Sequence, residues 1–350
     1  MGGLLKMYGI RRVFIIGAGF GAPLGMPLAR DLLKDVYAVA RTKRWQDENG
    51  PTPNGQADWL VEQLNWYFPL DGIDHASVSS GKLPKDFDIE KFISYAAATS
   101  AFVHNTSRQF YNNDDKFVAF LKIWIAEAIV RRQWDAVAKK TDAYDRFALL
   151  LKKSLVLTFN WDTLIERLLE ANSMKYAFDL ASTFENERVP LLKLHGSVDW
   201  FSMPDKLLKE DWMSFEPIGD SFEDCYRANG NPLAYYKYYM TPWIVIPSYD
   251  KISQVLALGR LWQTPWAWLR DKLEIVLIGF SMRPDDFHSR AFLYPQLVSG
   301  SRNGSLSVKV VDLAQSHEEQ KKIRERFAGV ENCQFFFDGF CDRALDFIGQ

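Results

Sequence analysis

The sequence predicts an α/β protein: a Rossmann-like, doubly wound parallel sheet with a mainly helical subdomain inserted near its start. Two patterns indicate this fold. Short apolar runs rich in β-branched residues alternate with segments of helical periodicity, which is typical of parallel sheets covered by helices. Residues 44–150 hold helical patterns without such runs and interrupt the alternation. We therefore expect a Rossmann-like domain from residues 1–43 and 151–350, and a helical insertion at 44–150.

The first elements are a predicted strand, a glycine-rich turn and a helix. Residues 13–16 form an apolar, β-branched run that ends at Gly17, and helical spacing follows at 28–42. Inside the insertion, loops rich in Gly, Pro or Ser are predicted at 50–55 and 71–86. Helices are predicted at 59–68, 88–104 and 115–139.

Strands and helices alternate again after residue 150. Strands are predicted at 154–158, 190–194, 243–246, 274–278, 308–311 and 334–337. Helices are predicted at 162–170, 253–272, from 284 onward, 316–327 and 340–348. Residues 202–240 show neither period and are predicted to be irregular.

The composition disfavours several classes of protein. The 350 residues carry 42 Lys and Arg against 44 Asp and Glu, so direct sequence-specific nucleic-acid binding is not expected. The three cysteines form no C-x-x-C pair, which disfavours a metal site or a disulfide scaffold and suits a reducing cytoplasm. No membrane association is expected, because the longest apolar stretch, 117–130, contains Lys122 and Glu127.

The glycine-rich turn fits the loose dinucleotide pattern G-x-G-x-x-G/A as Gly17-x-Gly19-x-x-Ala22. Such glycines permit close approach of the backbone to a pyrophosphate, with a helix N-terminus behind it. The acidic residue that dehydrogenases carry about 20 positions later is missing, which disfavours a nicotinamide dehydrogenase. The turn also fits a purely structural role, packing the strand on the helix.

Polar residues and glycines follow most of the predicted strands. Since ligands of doubly wound sheets bind beyond the carboxyl ends of the strands, we expect these residues on one rim. They are Gly17, Asn160, His195, Gly279, Ser281, Asp312 and the segment from Gly339 to Cys341.

Three of these residues suit chemistry on a ribose, and each has a structural alternative. His195 can accept a proton near neutral pH, or serve as a strand-end histidine bonded to backbone. Asn160 can hold a water or a ribose hydroxyl, or serve as a turn residue. Asp162 fits a catalytic role or a cap for the helix that follows.

Two further residues suit binding. The hydroxyl of Ser281 and its backbone N–H can meet a phosphate or ribose. The carboxylate of Asp312 can accept hydrogen bonds from two ribose hydroxyls, although a solvated strand-end aspartate is the alternative.

Five short motifs in this order resemble the signatures of the sirtuins. The family patterns are G-A-G-x-S-x-x-x-G-I-P-x-x-R, T-Q-N-I-D, L-H-G, G-T-S-L and G-D-C-D. They correspond here to Gly17-Ala18-Gly19 with Gly25, Met26, Pro27 and Arg30, to residues 158–162, 194–196 and 279–282, and to residues 339–342.

The motifs are closer to the bacterial sirtuin-like NAD+ hydrolases of antiphage defence than to protein deacylases. Residues 158–166 resemble that branch's T-F-N-[WY]-D-x-L-I-E, and residues 194–200 its L-H-G-S-x-x-W. Gly21 replaces the sirtuin serine, and the paired-cysteine zinc module is missing, which puts a peptide cleft in doubt.

The resemblance implies that NAD+ is the substrate, that Asn160 and His195 are catalytic, and that no metal takes part. Phe340 and Cys341 would flank the adenine, and Arg30 would lie near the nicotinamide unless it is an ordinary surface arginine. The remaining NAD+-binding residues would be Gly17, Ala18, Gly19, Gly25, Pro27, Asp162, Gly279, Ser281 and Asp312.

The expected activity is cleavage of NAD+ to nicotinamide and ADP-ribose, as an effector of abortive infection. The catalytic fold is expected to reach the C-terminus, so we expect control by homo-oligomerisation or by a separate activator or ATPase subunit. The helical insertion and the aromatic-rich stretch 200–239 are candidate interfaces, although aromatic clusters are more often core. An NAD-dependent protein deacylase and a non-catalytic NAD or ADP-ribose sensor are the alternatives.

Overall fold

The structure is a computed structural model that describes most of the chain. The described residues are 10–43, 46–47, 50–51, 54–69, 71–84, 87–104, 114–179, 188–202, 215–218, 225–236, 240–246, 258–263, 273–284 and 286–350.

The first part of the chain forms one buried strand and then mainly helices. Strand β1 (Arg12–Ile16) leads through two 3₁₀ turns, Ala18–Phe20 and Ala22–Leu24, to helix α1 (Ala29–Thr42). Two short paired strands follow, β2 (Gln46–Asp47) and β3 (Gly50–Pro51). The helices after them are α2 (Ala57–Tyr67), α3 (His75–Ser80), α4 (Ile89–His104), α5 (Asp114–Ala138) and α6 (Asp142–Leu150).

The second part alternates strands and helices. Its first elements are β4 (Ser154–Thr158), α7 (Leu164–Ala171), β5 (Tyr176–Ala177), β6 (Val189–Lys193), β7 (Gly196–Ser202), β8 (Phe215–Pro217), β9 (Cys225–Ala228), α8 (Leu233–Tyr236) and β10 (Pro242–Ile244). Its later elements are α9 (Gly259–Gln263), β11 (Leu273–Ile278), α10 (Phe287–Arg302), β12 (Leu306–Val311), α11 (His317–Arg326), β13 (Cys333–Phe336) and α12 (Asp342–Gly349).

The predicted doubly wound parallel sheet is confirmed. Seven strands lie in the order β13-β12-β11-β1-β4-β6-β5, and all the pairs are parallel. Strands β1 and β4 are almost wholly buried, as expected of β-branched runs covered by helices on both faces. The chain builds outward from β1 through β4 and β6, and then returns on the other side through β11, β12 and β13. The strand order therefore reverses between β1 and β11.

The expectation of irregular structure at 202–240 is wrong in part. Strands β10, β7, β9 and β8 form a second, antiparallel sheet in that order. The strand predicted at 243–246 pairs with β7 in this sheet and does not join the parallel one. These strands escaped the sequence pattern because they are short and carry polar residues such as Arg227 without strict alternation.

Two smaller predictions inside 44–150 are also wrong. The loop predicted at 71–86 contains helix α3, which begins with a capping box: Asp74 accepts from the Ser77 N–H at 2.7 Å, and the Ser77 hydroxyl accepts from the Asp74 N–H at 3.0 Å. The loop predicted at 50–55 begins with strand β3, which pairs with β2.

The helix predicted at 253–272 is described only at 258–263, where α9 forms. The rest of that prediction lies outside the described residues.

Helix α6 joins the helical stretch to the parallel sheet through aromatic side chains. Tyr144 and Phe147 contact Phe20, at ring-centroid distances of 5.2 Å each, and Phe147 also lies 5.1 Å from Phe14 of β1. Helix α5 contacts α1, α4 and α7 as well as β7 and β10. The helices thus share a buried core with the sheet. A separate helical insertion bounded at 44 and 150 stays a prediction.

Within the described part of the chain, no helix combines the length and apolar character needed to cross a bilayer.

Candidate functional site

The parallel strands end level with one another at one edge of the sheet. Ile16 of β1 pairs with Ile278 of β11 and Thr158 of β4. The same register continues from Thr158 to Lys193 and from Ile278 through Val311 to Phe336. The segments that begin at Gly17, Asn160, His195, Gly279, Asp312 and Gly339 therefore all leave the sheet at this edge, which we call the rim.

The glycine turns after β1 and β11 pack directly on each other. The N–H of Gly17 donates to Ile278 O, and the N–H of Gly19 donates to Gly279 O, both at 3.0 Å. A Cβ on Gly17 would lie 2.5 Å from Gly279 O, and a Cβ on Gly19 would lie 2.7 Å from Gly279 Cα. Gly279 itself has φ of 61°, a conformation that favours glycine. Backbone contact between the two turns thus already accounts for all three glycines.

The helix predicted at 28–42 is confirmed as α1, and the glycine turn is separated from it. Two 3₁₀ turns follow Gly17, and α1 begins only at Ala29. Ala18 is exposed, Pro27 is partly buried, and Gly25 adopts φ of 89° at the end of the second turn. Arg30 lies in the first turn of α1, and its side chain lies outside the described structure.

Asn160 connects two neighbouring strand ends. Its Nδ2 donates to Gly17 O at 3.0 Å, and its N–H donates to Thr158 Oγ1 at 3.1 Å. The side chain is partly exposed, and its Oδ1 makes no hydrogen bond to the described residues. Asn160 is therefore fixed in orientation while one amide acceptor stays available.

His195 lies at the end of β6 among aromatic rings. Its ring centroid is 5.1 Å from Phe159 and 6.0 Å from Trp262, and the residue is 7% exposed. The backbone on both sides is bonded, since Trp262 Nε1 donates to Leu194 O and the Val245 N–H donates to His195 O, each at 2.8 Å. The imidazole is thus held by both its backbone and its ring neighbours.

Asp162 lies one residue before the N-cap of helix α7, which is Thr163. Its Oδ1 accepts from the Leu164 N–H at 3.0 Å, which satisfies a donor of the first helical turn. Burial raises the pKa of the Asp162 carboxyl, and the nearby Lys193 charge opposes that rise. Thr163 and Glu166 form no capping box with each other at this end of α7, and the Glu166 carboxylate instead binds Lys193.

Lys193 is a residue that the motifs did not single out. It ends β6, is fully buried, and donates to Glu166 Oε1 at 2.7 Å and to Asp162 O. Glu166 is equally buried, and its pKa is raised by burial and held back by the Lys193 charge. This ion pair holds α7 and the Asn160 loop against the strand that carries His195.

Asp312 follows β12 and has one bonded and one unbonded carboxylate oxygen. Oδ1 accepts from the Leu313 N–H at 2.8 Å. Oδ2 is buried and has no hydrogen-bond partner among the described residues. Burial raises the pKa of this carboxyl, while the Leu313 N–H and the Arg326 charge oppose the rise. An unbonded buried carboxylate oxygen can accept a hydrogen bond from a ligand donor such as a ribose hydroxyl.

Two arginines support the loop after β11. Arg326 donates to Ser281 O at 3.2 Å, and Arg290 lies with its guanidinium near Met282 O and Arg326 O, at 3.5 and 3.3 Å. Ser281 is partly exposed at the rim. Sequence motifs did not single out either arginine, because 45 residues separate Arg326 from Ser281.

Phe340 and Cys341 differ in their surroundings. Phe340 is 5% exposed, and its ring packs against Phe20 and Tyr144, each at 4.8 Å, so it belongs to the core. Cys341 is partly exposed and precedes α12. Of the two, Cys341 presents more side-chain surface at the rim.

No group of three or more His, Cys, Asp or Glu residues that could hold a metal ion occurs within the described ranges. The rim residues instead offer an amide acceptor, an imidazole and a carboxylate oxygen, which suit hydroxyl groups. No protein-family model matches the chain, and no curated protein matches it.

Proposed function

We propose that the protein is an NAD+ glycohydrolase that releases nicotinamide and ADP-ribose. The observation that supports this most is the shared rim, where the level strand ends bring Asn160, His195 and Asp312 to the edge beside the point of strand reversal. Dinucleotides bind doubly wound sheets at that point. The choice of NAD+ as the substrate rests on the sirtuin-like motifs and their order along the chain.

The proposed reaction does not depend on a general acid. The nicotinamide of NAD+ is cationic while bound and leaves as a neutral base when it takes the electron pair of the C1′–N bond. A general acid is therefore unnecessary, unlike in ordinary glycoside hydrolysis. Water adds to C1′, and its proton passes to a base.

Each rim residue has a part in this proposal. His195 takes the proton from the attacking water or from a ribose hydroxyl. Asn160, held through Gly17 O, uses its Oδ1 to orient the water or the ribose. The unbonded Oδ2 of Asp312 accepts a hydrogen bond from a hydroxyl of the adenosine ribose. Asp162 acts by accepting a hydrogen bond from the first N–H of α7.

The biological setting is also part of the proposal. An enzyme that empties the NAD+ pool must be controlled, and we place it as an effector of antiphage defence in the bacterial cytoplasm. Control would come from homo-oligomerisation or from a separate activator or ATPase subunit.

One assay separates this function from its alternatives. Purified protein is incubated with NAD+ over a range of protein concentrations, with and without an acetylated peptide, and nicotinamide is measured. We expect peptide-independent release that His195→Ala and Asn160→Ala each reduce at least 100-fold, in line with the roughly 10²–10⁴-fold effect of general bases. His317→Ala, at the exposed start of α11, is the matched control.

Each other result favours a different function. Release that requires the acetylated peptide identifies a deacylase. Tight NAD+ binding without release at every protein concentration, and with cell extract added as a source of activator, identifies a sensor.

A further inference from the structure

A second candidate binding site lies apart from the rim. A cavity of about 440 Å3 opens between α5, α7 and strands β7 and β9 of the second sheet. None of the residues assigned to NAD+ lines it. Its volume falls in the range of small-molecule sites, roughly 300–1,000 Å3.

Of the two arginines on the cavity wall, Arg227 forms ion pairs with the described residues and Arg167 does not. Arg227 is paired with Asp199 at 2.7 Å and lies 3.7 Å from Glu170. Arg167 of α7 makes one hydrogen bond, from its Nε to Thr163 Oγ1 at 3.2 Å, and forms no ion pair with the described residues. The free edge of its guanidinium suits a phosphate, which accepts two parallel N–H bonds.

The same wall carries an aromatic side chain with an exposed face. Trp134 of α5 is 42% exposed, although indoles usually lie buried, and it has no ring or hydrogen-bond partner among the described residues. An indole face suits a flat heteroaromatic ring, and such stacking contributes about 1–3 kcal/mol per base in nucleic-acid complexes.

The loop between β9 and α8 supplies hydrogen-bonding groups and space. Asn231 accepts from the Leu233 N–H at 3.0 Å through Oδ1, so its amide NH₂ remains to donate. Gly230 has φ of 89°, and no atom lies within 4 Å of where its Cβ would be. The backbone therefore leaves open space beside the amide.

We propose that this cavity binds a nucleoside monophosphate, with the phosphate on Arg167, the base on Trp134 and the Asn231 amide on a polar edge. Arg167, Trp134 and Asn231 together suit a ligand that carries an anion, a flat ring and a hydrogen-bond acceptor. An inorganic phosphate would satisfy Arg167 alone. The site is independent of the proposed NAD+ site and of catalysis.

The test is calorimetric titration of the full chain with AMP, adenosine and inorganic phosphate. All titrations use the Asp312→Ala background, because AMP shares its adenosine part with NAD+ and this substitution weakens adenosine binding at the rim. We expect AMP to bind at least ten-fold tighter than either fragment. Arg167→Gln and Trp134→Ala should each weaken AMP at least ten-fold.

Two matched controls lie away from the cavity. Arg302→Gln alters an exposed arginine at the end of α10, and Trp66→Ala alters an indole that is 69% exposed on α2. Neither should change AMP affinity. The proposal is overturned if AMP gives no binding at millimolar concentration, if Arg167→Gln leaves its affinity unchanged, or if phosphate binds as tightly as AMP. None of these readouts needs turnover of NAD+, so the outcome is distinct from that of the hydrolase assay.

Discussion

Asp312 carries an energetic penalty that a binding role would explain. Its Oδ2 is buried without a partner among the described residues, and burial raises its pKa. A carboxylate in that state destabilises the folded protein unless a ligand donates to it. The rim would then hold a residue whose best partner is a ligand donor.

Asp312→Asn should separate stability from binding. The folded pKa of Asp312 lies above the unfolded value of 3.8, so wild-type stability falls as pH rises between these two pKa values and stays low above them. The asparagine variant should therefore be more stable at pH 7, and the gain should disappear at low pH. NAD+ should bind about ten-fold more weakly, as expected when a hydrogen bond to a charged group is lost.

Urea unfolding across pH and calorimetric NAD+ titration check both parts. Asp71→Asn, at an exposed aspartate, is the control and should change neither. A variant that is less stable than the wild type at pH 7 would show that Oδ2 has a partner within the fold.

Lys122 provides a second residue-scale prediction. It lies in α5 without an ion-pair or hydrogen-bond partner in the described part of the chain, and burial lowers its pKa to about 8. The unfolded value is 10.5, so below pH 8 the folded state carries the full penalty of a desolvated ammonium.

Lys122→Met should stabilise the protein at pH 7, by about 3 kcal/mol at most, since one pKa unit corresponds to 1.36 kcal/mol. The gain should shrink as pH rises from about 8 to 10.5, where the wild-type amine becomes neutral in both states. Thermal unfolding over this pH range measures it, with exposed Lys152→Met as the control. A loss of stability at pH 7 would reveal a functional or structural partner for the amine.

At the scale of elements, the sirtuin-like motifs largely encode local structure. In residues 158–166, Asp162 accepts a hydrogen bond from the first N–H of α7, and Glu166 binds Lys193. In residues 194–200, Gly196 has φ of 75° and its Cβ would clash with Trp243 O, so glycine is required where β6 turns into β7. The motifs therefore indicate first the local geometry that holds Asn160 and His195. They bear on the chemistry only through that geometry.

The Lys193–Glu166 pair is a fully buried link between these elements. Lys193→Met leaves Glu166 buried without its cation and should destabilise the protein by about 3–5 kcal/mol. The double variant Lys193→Met/Glu166→Leu should recover most of that loss, because buried ion pairs can be replaced by apolar groups at little net change.

Urea unfolding of the two single variants and the double variant measures the coupling between the two sites. The exposed pair of Lys322 with Glu318 is the matched control, where the same cycle should give little or no coupling, because water screens exposed charges. Additive losses at Lys193 and Glu166 would contradict the proposed link.

The strands of the parallel sheet were predictable because burial on both faces demands continuous apolar runs. Residues 154–158 match β4 fully, and the level strand ends placed Gly17, Asn160, His195 and Asp312 on one rim. The second sheet was missed because its strands are short and Arg227 interrupts them. Lys193 and Arg326 were missed because their roles depend on partners distant in the chain.

At the scale of the whole molecule, the described contacts favour one cooperative unit. Phe147 of α6 is fully buried and touches Phe14 of β1, Phe20 of the glycine turn and Phe340 before α12. Helix α5 contacts α7, β7 and β10. An inserted subdomain with its own core would share fewer buried residues with the sheet.

We therefore expect the helices of residues 114–150 to unfold together with the parallel sheet. Hydrogen exchange in increasing urea should show protection lost at one concentration for α5, α6, β1 and β4, because their side chains share one core. Phe147→Ala should lower the urea midpoint of the helices and that of the strands equally. The reason is that it destabilises their shared core, by about 3–5 kcal/mol in the free energy of unfolding. Leu149→Ala, 51% exposed on the same helix, is the control and should shift neither. If α5 and α6 lose protection at lower urea than β1 and β4, the helical stretch is a separable domain, as the predicted insertion requires.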